Sequence, residues 1–246
     1  MSDSAIAQAT THPVSSKGLA ARAVGVIFSP RATYADVVAR PRALGALVTV
    51  IVIVAAATSA FLMTEVGRNA YIDQALSTLE GFGAKVTDQM MERIESQAKY
   101  SAYVTVAGQL VVVPLLAAIL AGLSLAVFNA ILGADATFKQ AFAVVSHSYF
   151  VVALQTVFSM PLNYLRESLS STTSLAIFFP MIDDTSFFGR LMGSIDLFRI
   201  WWIVSLAIGF GVLYKRKTGP IAWTLLAVYL IIVLIFAGVR TALSGA

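Results

Sequence analysis

AYVTVAGQLVVVPLLAAILAGLSLAVFNAIL, running from Ala102 to Leu132, contains no charged side chain. A hydrocarbon core of ~30 Å takes about 20 apolar residues at the helical rise, so this stretch crosses a bilayer with about ten residues to spare and must tilt or project. Lipid offers the backbone no water to bond with, which dictates helix rather than open strand. Four more stretches have the same character: Ala43 to Met63, Ala141 to Met160, Asp196 to Tyr214 and Pro220 to Val239. The fold class is therefore all-α, a polytopic membrane bundle of five transmembrane helices occupying residues 42–240.

Composition agrees. The chain is 58% hydrophobic and 12% charged, against about 25% charged in an ordinary soluble domain. Cysteine is absent, which removes disulfides, thiol nucleophiles and Cys-based metal sites. The net charge of +4 matters through its placement. Lys17, Arg22, Arg31, Arg40 and Arg42 precede the first apolar stretch, and Lys215, Arg216 and Lys217 separate the fourth from the fifth. The segment after the first stretch carries six acids against four bases. The positive-inside rule then places the amino terminus in the cytoplasm and the carboxyl terminus, with a short tail at 241–246, outside. The basic residues hug span ends and lack an interleaved aromatic platform, so nucleic acid is not the expected partner.

Residues 1–18 are rich in Ser, Ala, Thr and Gln without hydrophobic period and read as a disordered cytoplasmic tail. Residues 19–41 read as two short amphipathic helices. The first sets Leu19, Ala23 and Ile27, with Ala20, Val24 and Phe28, on one face and leaves Arg22 off it, suited either to the membrane interface or to the floor of the bundle. The second restarts at Ser29-Pro30, presents Tyr34, Val37 and Val38, and stops before Pro41. After the first span, Ile72, Leu76 and Leu79, then Val86, Met90 and Ile94, recur at helical spacing on either side of Gly81 and Gly83, which predicts an external helical hairpin. Its second arm should run unbroken into the second span. After the third span, Thr185 is placed to cap a helix leading into the fourth.

Ala118, Gly122, Ala126 and Ala130 recur every four residues along the second span and form a helix-packing stripe of the small-xxx-small kind; Ser205, Ala207, Gly209 and Gly211 repeat the pattern in the fourth. Such a stripe packs helices within a bundle or receives another membrane protein. In the third span His147, Ser148 and Gln155, with Ser146 and Ser159, are the candidate polar intramembrane residues. His147 is either a hydrogen-bonded structural residue or part of a proton or substrate path, although no membrane-embedded carboxylate accompanies it. Asp196 and Arg199, three apart beside Trp201 and Trp202, are expected to pair at the interface. Asp183-Asp184 supplies too few oxygens for calcium and reads as solvated loop acid. No Walker loop, HExxH, GxSxG or dinucleotide fingerprint occurs, and Ser146-His147-Ser148 cannot form a nucleophile-base pair, because adjacent helical residues diverge. No catalytic residue, metal or cofactor is expected.

Three stretches together resemble the Yip family of five-span membrane proteins, first recognised as interactors of Ypt/Rab GTPases and with many bacterial members. They are Ile27-Phe-Ser-Pro-Arg-Ala-Thr-Tyr34 with Ala39-Arg-Pro41, Gly133-Ala-Asp-Ala-Thr-Phe-Lys-Gln-Ala-Phe142 leading to Ser148-Tyr149, and Ile195-Asp-Leu-Phe-Arg-Ile-Trp201 followed by Ala207-Ile-Gly209. The resemblance covers about Leu19 to Arg240 and implies a cytoplasmic amino terminus, five spans and an external carboxyl terminus. The Asp-Leu-x-Gly-Pro signature of the eukaryotic branch is missing before the first span, and the third lacks the proline associated with the Tyr-Ser element. Rab-type GTPase binding is therefore not implied. The expected role is a non-enzymatic, membrane-organising adaptor or scaffold of the bacterial inner membrane, working with the lipid bilayer and with another membrane protein or a second copy of itself. The alternative is a transporter or channel subunit with a polar path along the third span.

Overall fold

A computed structural model describes residues 17–244; most of the expected tail at 1–18 lies outside the described residues, as do positions 245–246. Its elements are α-helical: α1 (Leu19–Phe28), α2 (Pro30–Ala39), α3 (Ala43–Leu62), α4 (Glu65–Gly81), α5 (Asp88–Ala98), α6 (Ser101–Leu125), α7 (Phe138–Ser148), α8 (Phe150–Leu165), α9 (Phe187–Ser194), α10 (Leu197–Leu213) and α11 (Thr218–Ser244). A π-helical turn, Ala126–Ile131, extends α6, and a 3-10 turn, Leu175–Phe178, lies ahead of α9.

Among the described residues, four helical units are long and apolar enough to cross a bilayer: Ala43–Leu62, Ser101–Ile131, Phe138–Leu165 and Thr218–Ser244. The remaining expected crossing, the fourth in chain order, is α10, which has 17 residues, about 25 Å of helix. It is the central element of the bundle, packed on α2, α7, α8 and α11, so protein rather than lipid covers much of its length.

Turn chemistry explains where five of the helices begin. Thr64, Thr87, Thr137, Ser186 and Asp196 each accept a backbone N–H of the first turn of α4, α5, α7, α9 and α10. At Thr137 the partner Gln140 returns the bond and completes a capping box. Ser186 takes the capping role expected of Thr185, which bonds Asp183 instead. The α4 and α5 arms pack against each other, and the turn between them uses Gly83 at φ 77°, a conformation costly for residues with a Cβ. The run from α5 into α6 is not continuous. The chain turns at Lys99–Tyr100, where the Tyr100 N–H bonds back to Gln97, and the polar α5 diverges from the apolar α6 there.

The connections fall at two ends. At one end lie α1, α2, the α6–α7 turn and the α10–α11 turn, where Arg216 donates to the Leu132 carbonyl and Arg31, Lys215, Arg216 and Lys217 border one shallow groove. At the other lie the α4–α5 hairpin, the segment between α8 and α10, and the last turns of α11, where Arg240 donates to the Ser77 carbonyl and Phe82 meets Phe236 edge-on. The expected tail from 241 is helical as far as Ser244. Among the described residues the first end holds only Asp36 and Asp135 as acids; the rest lie at the second.

The core joins α2, α3, α6, α7, α8 and α10 around Tyr34, Val37, Val144, Val145, Leu206 and Phe210. Helices α1 and α2 pack together as an amino-terminal hairpin, and this hairpin is part of the core, not a separate surface element. On α1 the fully buried residues are Arg22, Gly25 and Val26; of the expected face, Ala23 and Ile27 pack partly buried against the core, while Leu19 and Ala20 are exposed and Phe28 is 82% and Val24 59% exposed. Arg22 turns inward because Asp36 on α2 receives its Nε at 2.8 Å, while its Nη2 donates to the Arg40 carbonyl at 3.2 Å.

Candidate functional site

The third span breaks at Tyr149, between α7 and α8, without a proline. Three side chains before the break bond to carbonyls of their own helix: Ser146 to Phe142, His147 Nδ1 to Ala143 and Ser148 to Val145, at 2.6–2.7 Å. Back-bonding of this kind competes with the helical ladder and bends helices. His147 is fully buried, with its Nε2 unpartnered among the described residues and Phe150 against its edge. None of the described cavities reaches it.

The hairpin is seated beside this break. Tyr34 Oη and Ser205 Oγ share a buried hydrogen bond of 2.8 Å. Gln140 Nε2 reaches the Val38 carbonyl at 3.3 Å. At Gly209 a Cβ would run into Val144 and the Tyr34 ring. Here the small residues of α10 work as a seam: Ser205, Ala207, Gly209 and Gly211 are all buried.

The α6 stripe behaves differently. The inward residues of that helix are Ala117, Ala121 and Ser124, one position away from Ala118 and Gly122, and Ser124 binds the Tyr214 hydroxyl at 2.8 Å. Ala126 is exposed, a Cβ at Gly122 would meet nothing within 4 Å, and the π-helical turn carries Ala130 off the row.

Towards the other end, α8, α10 and α11 enclose a cleft of about 610 Å³ lined by Gln155, Ser159, Asn163, Thr172, Trp202 and Tyr229, among others. Asp196 organises its wall. The carboxylate accepts Ser171 Oγ at 2.6 Å, Thr173 Oγ1 at 2.5 Å and the Arg199 backbone N–H at 3.0 Å. Tyr229 Oη accepts the Asp196 N–H and donates to the Ser194 carbonyl. Asp196 and Arg199 are thus joined through the backbone as a helix cap; no ion pair links their side chains, because hydroxyls already fill the carboxylate. Gln155 Nε2 contacts Thr173 Oγ1 at 3.4 Å, and the Trp202 indole, stacked on Tyr149, donates to Ser148 Oγ at 2.9 Å and floors the cleft. His147 lies beyond that floor, apart from Gln155.

A family model, the Yip1 domain, matches residues 24–239. The chain belongs to the Yip1 domain family. No curated protein and no solved structure matches it. Within this Yip1 domain, Tyr34 from the first of the three stretches that carry the resemblance, the capping-box Gln140 from the second and Gly209 from the third meet around α2, while Asp196 and Trp202 build the cleft towards the other end.

Asn163 and Thr172 extend the polar lining beyond the residues singled out in the sequence; Asn163 Oδ1 and Thr172 Oγ1 are buried without partners among the described residues. Gln155, Ser159 and Asn163 repeat at intervals of four, and that period was the available signal. Asp183 belongs to neither site. Its Oδ1 accepts the Thr185 N–H and hydroxyl at 2.8 Å each, and these bonds hold the carboxyl below the usual carboxylate range.

Proposed function

We propose that this Yip1-domain protein is a non-enzymatic adaptor or scaffold of a bacterial inner membrane. It crosses five times, with α10 as the fourth crossing, its amino terminus cytoplasmic and its carboxyl terminus and α4–α5 hairpin external. The observation that carries the reading is the contrast between a hairpin locked onto α10 and the unoccupied small-residue row on α6. The first makes a rigid platform in which Phe28 and Val24 stand exposed near the basic Arg31, Lys215, Arg216 and Lys217, a combination suited to an anionic lipid surface. The second offers a close-approach face to another membrane protein or a second copy. The positive-inside rule supports the orientation, since the end bearing α1 and α2 is the base-rich one.

The test is photo-crosslinking in native membranes from Gly122, with Gly209 as the buried control. A defined adduct from Gly122 alone supports the adaptor role; no adduct from either position, with the protein inserted, removes it. Fluorescent and phosphatase reporters at both termini test the orientation, and the same compartment for both would refute it. Phe28→Ser with Val24→Ser tests the platform better than deletion of α1, because Arg22 and Val26 belong to the core.

The cleft along the third span supports a second reading, a transporter or channel subunit. Its Trp202 floor and the sealed His147 weigh against a continuous path. A liposome flux that falls in His147→Ala or Trp202→Ala would favour it.

A further inference from the structure

Beside the cleft described above, across Ser171, Gly193 and Ser194, lies a second one of about 590 Å³ bordered by α4, α9 and α11. Three arginines line it: Arg166 after α8, Arg190 on α9 and Arg240 on α11. Arg240 is held in place. One nitrogen donates to the Ser77 carbonyl at 3.3 Å, the guanidinium lies 5.8 Å and 6.0 Å from the Phe82 and Phe236 ring centroids, and the missing side chain of Gly81 makes room for it. Arg190 is near enough for the two like charges to act on each other.

No carboxylate among the described residues lies within ion-pair distance of them, although Asp183 is near enough for its charge and that of Arg190 to act on each other. The ion pair among the described residues is Arg22 with Asp36, at the opposite end. Arg190 Nη1 and Arg240 Nε are buried without a hydrogen-bond acceptor, and Asp184, on the rim, pairs with neither. Withdrawing guanidinium N–H groups from water without an acceptor is costly, and clustering two cations adds repulsion. An oxyanion between them answers both costs with charge-assisted bonds, and the planar fork of arginine matches phosphate oxygens.

Depth narrows the class. From Pro220, near the first end of α11, to Arg240 is about 30 Å of helix, the thickness of a hydrocarbon core, so this guanidinium sits at headgroup level. Gln74, Ser77 and Ser170 add neutral polar groups to the wall. We infer that the Arg166, Arg190 and Arg240 cleft binds a phosphate-bearing anion, carried by a phospholipid headgroup or free in solution.

The full chain, reconstituted in nanodiscs of phosphatidylcholine with or without phosphatidylglycerol, provides the test, with bound lipid read by native mass spectrometry and melting temperature by intrinsic fluorescence. Inorganic phosphate titrated into the phosphatidylcholine discs forms the second arm. Arg190→Gln is the decisive variant, because the Arg190 side chain makes no described hydrogen bond whose loss could unfold the protein. Loss of one charge-assisted contact should weaken binding on the order of tenfold. Retention of phosphatidylglycerol and a raised melting temperature in the parent, both reduced in Arg190→Gln, assign the site to a headgroup. Stabilisation by inorganic phosphate alone, again lost in the variant, assigns it to a soluble anion. Equal behaviour of parent and Arg190→Gln in both arms, or no response of the parent to either, overturns the inference.

Discussion

Helices α6 and α10 carry the same kind of signal, small residues spaced to let another helix come close, and use it in opposite ways. On α10, Gly209 is filled by Tyr34 and Val144 from two different helices. On α6, Gly122 faces open space and the neighbouring row, Ala117 and Ala121, does the internal packing. A small-residue row therefore specifies that something can approach, not what does. The deciding information is whether an element of the same chain reaches the row. For α10 it is the amino-terminal hairpin, closed on itself by the Arg22–Asp36 pair and bonded to α10 through Tyr34 and Ser205.

The largest break in this contrast is expected from Asp36→Ala. It leaves the Arg22 guanidinium, 4% exposed, without its counter-charge, and uncompensated buried charges cost on the order of 3 kcal/mol or more. Chemical unfolding in detergent micelles should show a loss of that size, and protease should then cut between α1 and α2. A near-neutral result would mean that the hairpin is not held by the pair. Gly209→Ala comes next. Its new methyl group meets Val144 and Tyr34, and overpacking of this kind costs about 1–3 kcal/mol, measured by the same unfolding transition. Tyr34→Phe follows at about 1 kcal/mol, the usual net worth of one buried hydrogen bond, here to Ser205. Combining it with Ser205→Ala should cost less than the sum of the two singles, since both remove one bond.

Much of this was legible in the chain. The long apolar runs mark out α3, α6, the α7–α8 unit and α11, and the Ile72 to Ile94 periodicity gives the α4–α5 hairpin, because each is a local property of one segment. Arg22 was not legible in that way. On a helical wheel a charge belongs on the outer face; its inward position depends on Asp36 fourteen residues later, across a turn at Ser29-Pro30. The same limit explains Asp196 and Arg199. Their spacing is right for a side-chain pair, but Ser171 and Thr173, from a loop with no periodic signature, occupy the carboxylate first. Polar residues of a membrane helix can be read as facing protein; which hydroxyl meets which carboxylate is decided by the folded loops.

Gly122→Ala is the smallest expected effect and the sharpest partner to Gly209→Ala, because the chemical change is identical. With no atom to collide with, the added methyl group gains only helical preference, a stabilisation of about 0.5–1 kcal/mol in a helix interior. The two substitutions should thus shift the unfolding midpoint in opposite directions in purified protein. In native membranes the sign at Gly122 becomes a probe of occupancy. If another helix packs there, Gly122→Ala and more strongly Gly122→Leu should reduce the species crosslinked from the neighbouring Ala118 while leaving the purified chain as stable as the parent or more so. Should Gly122→Ala destabilise the isolated protein as much as Gly209→Ala does, the row on α6 would be filled from within the chain, and the distinction between the two helices would disappear.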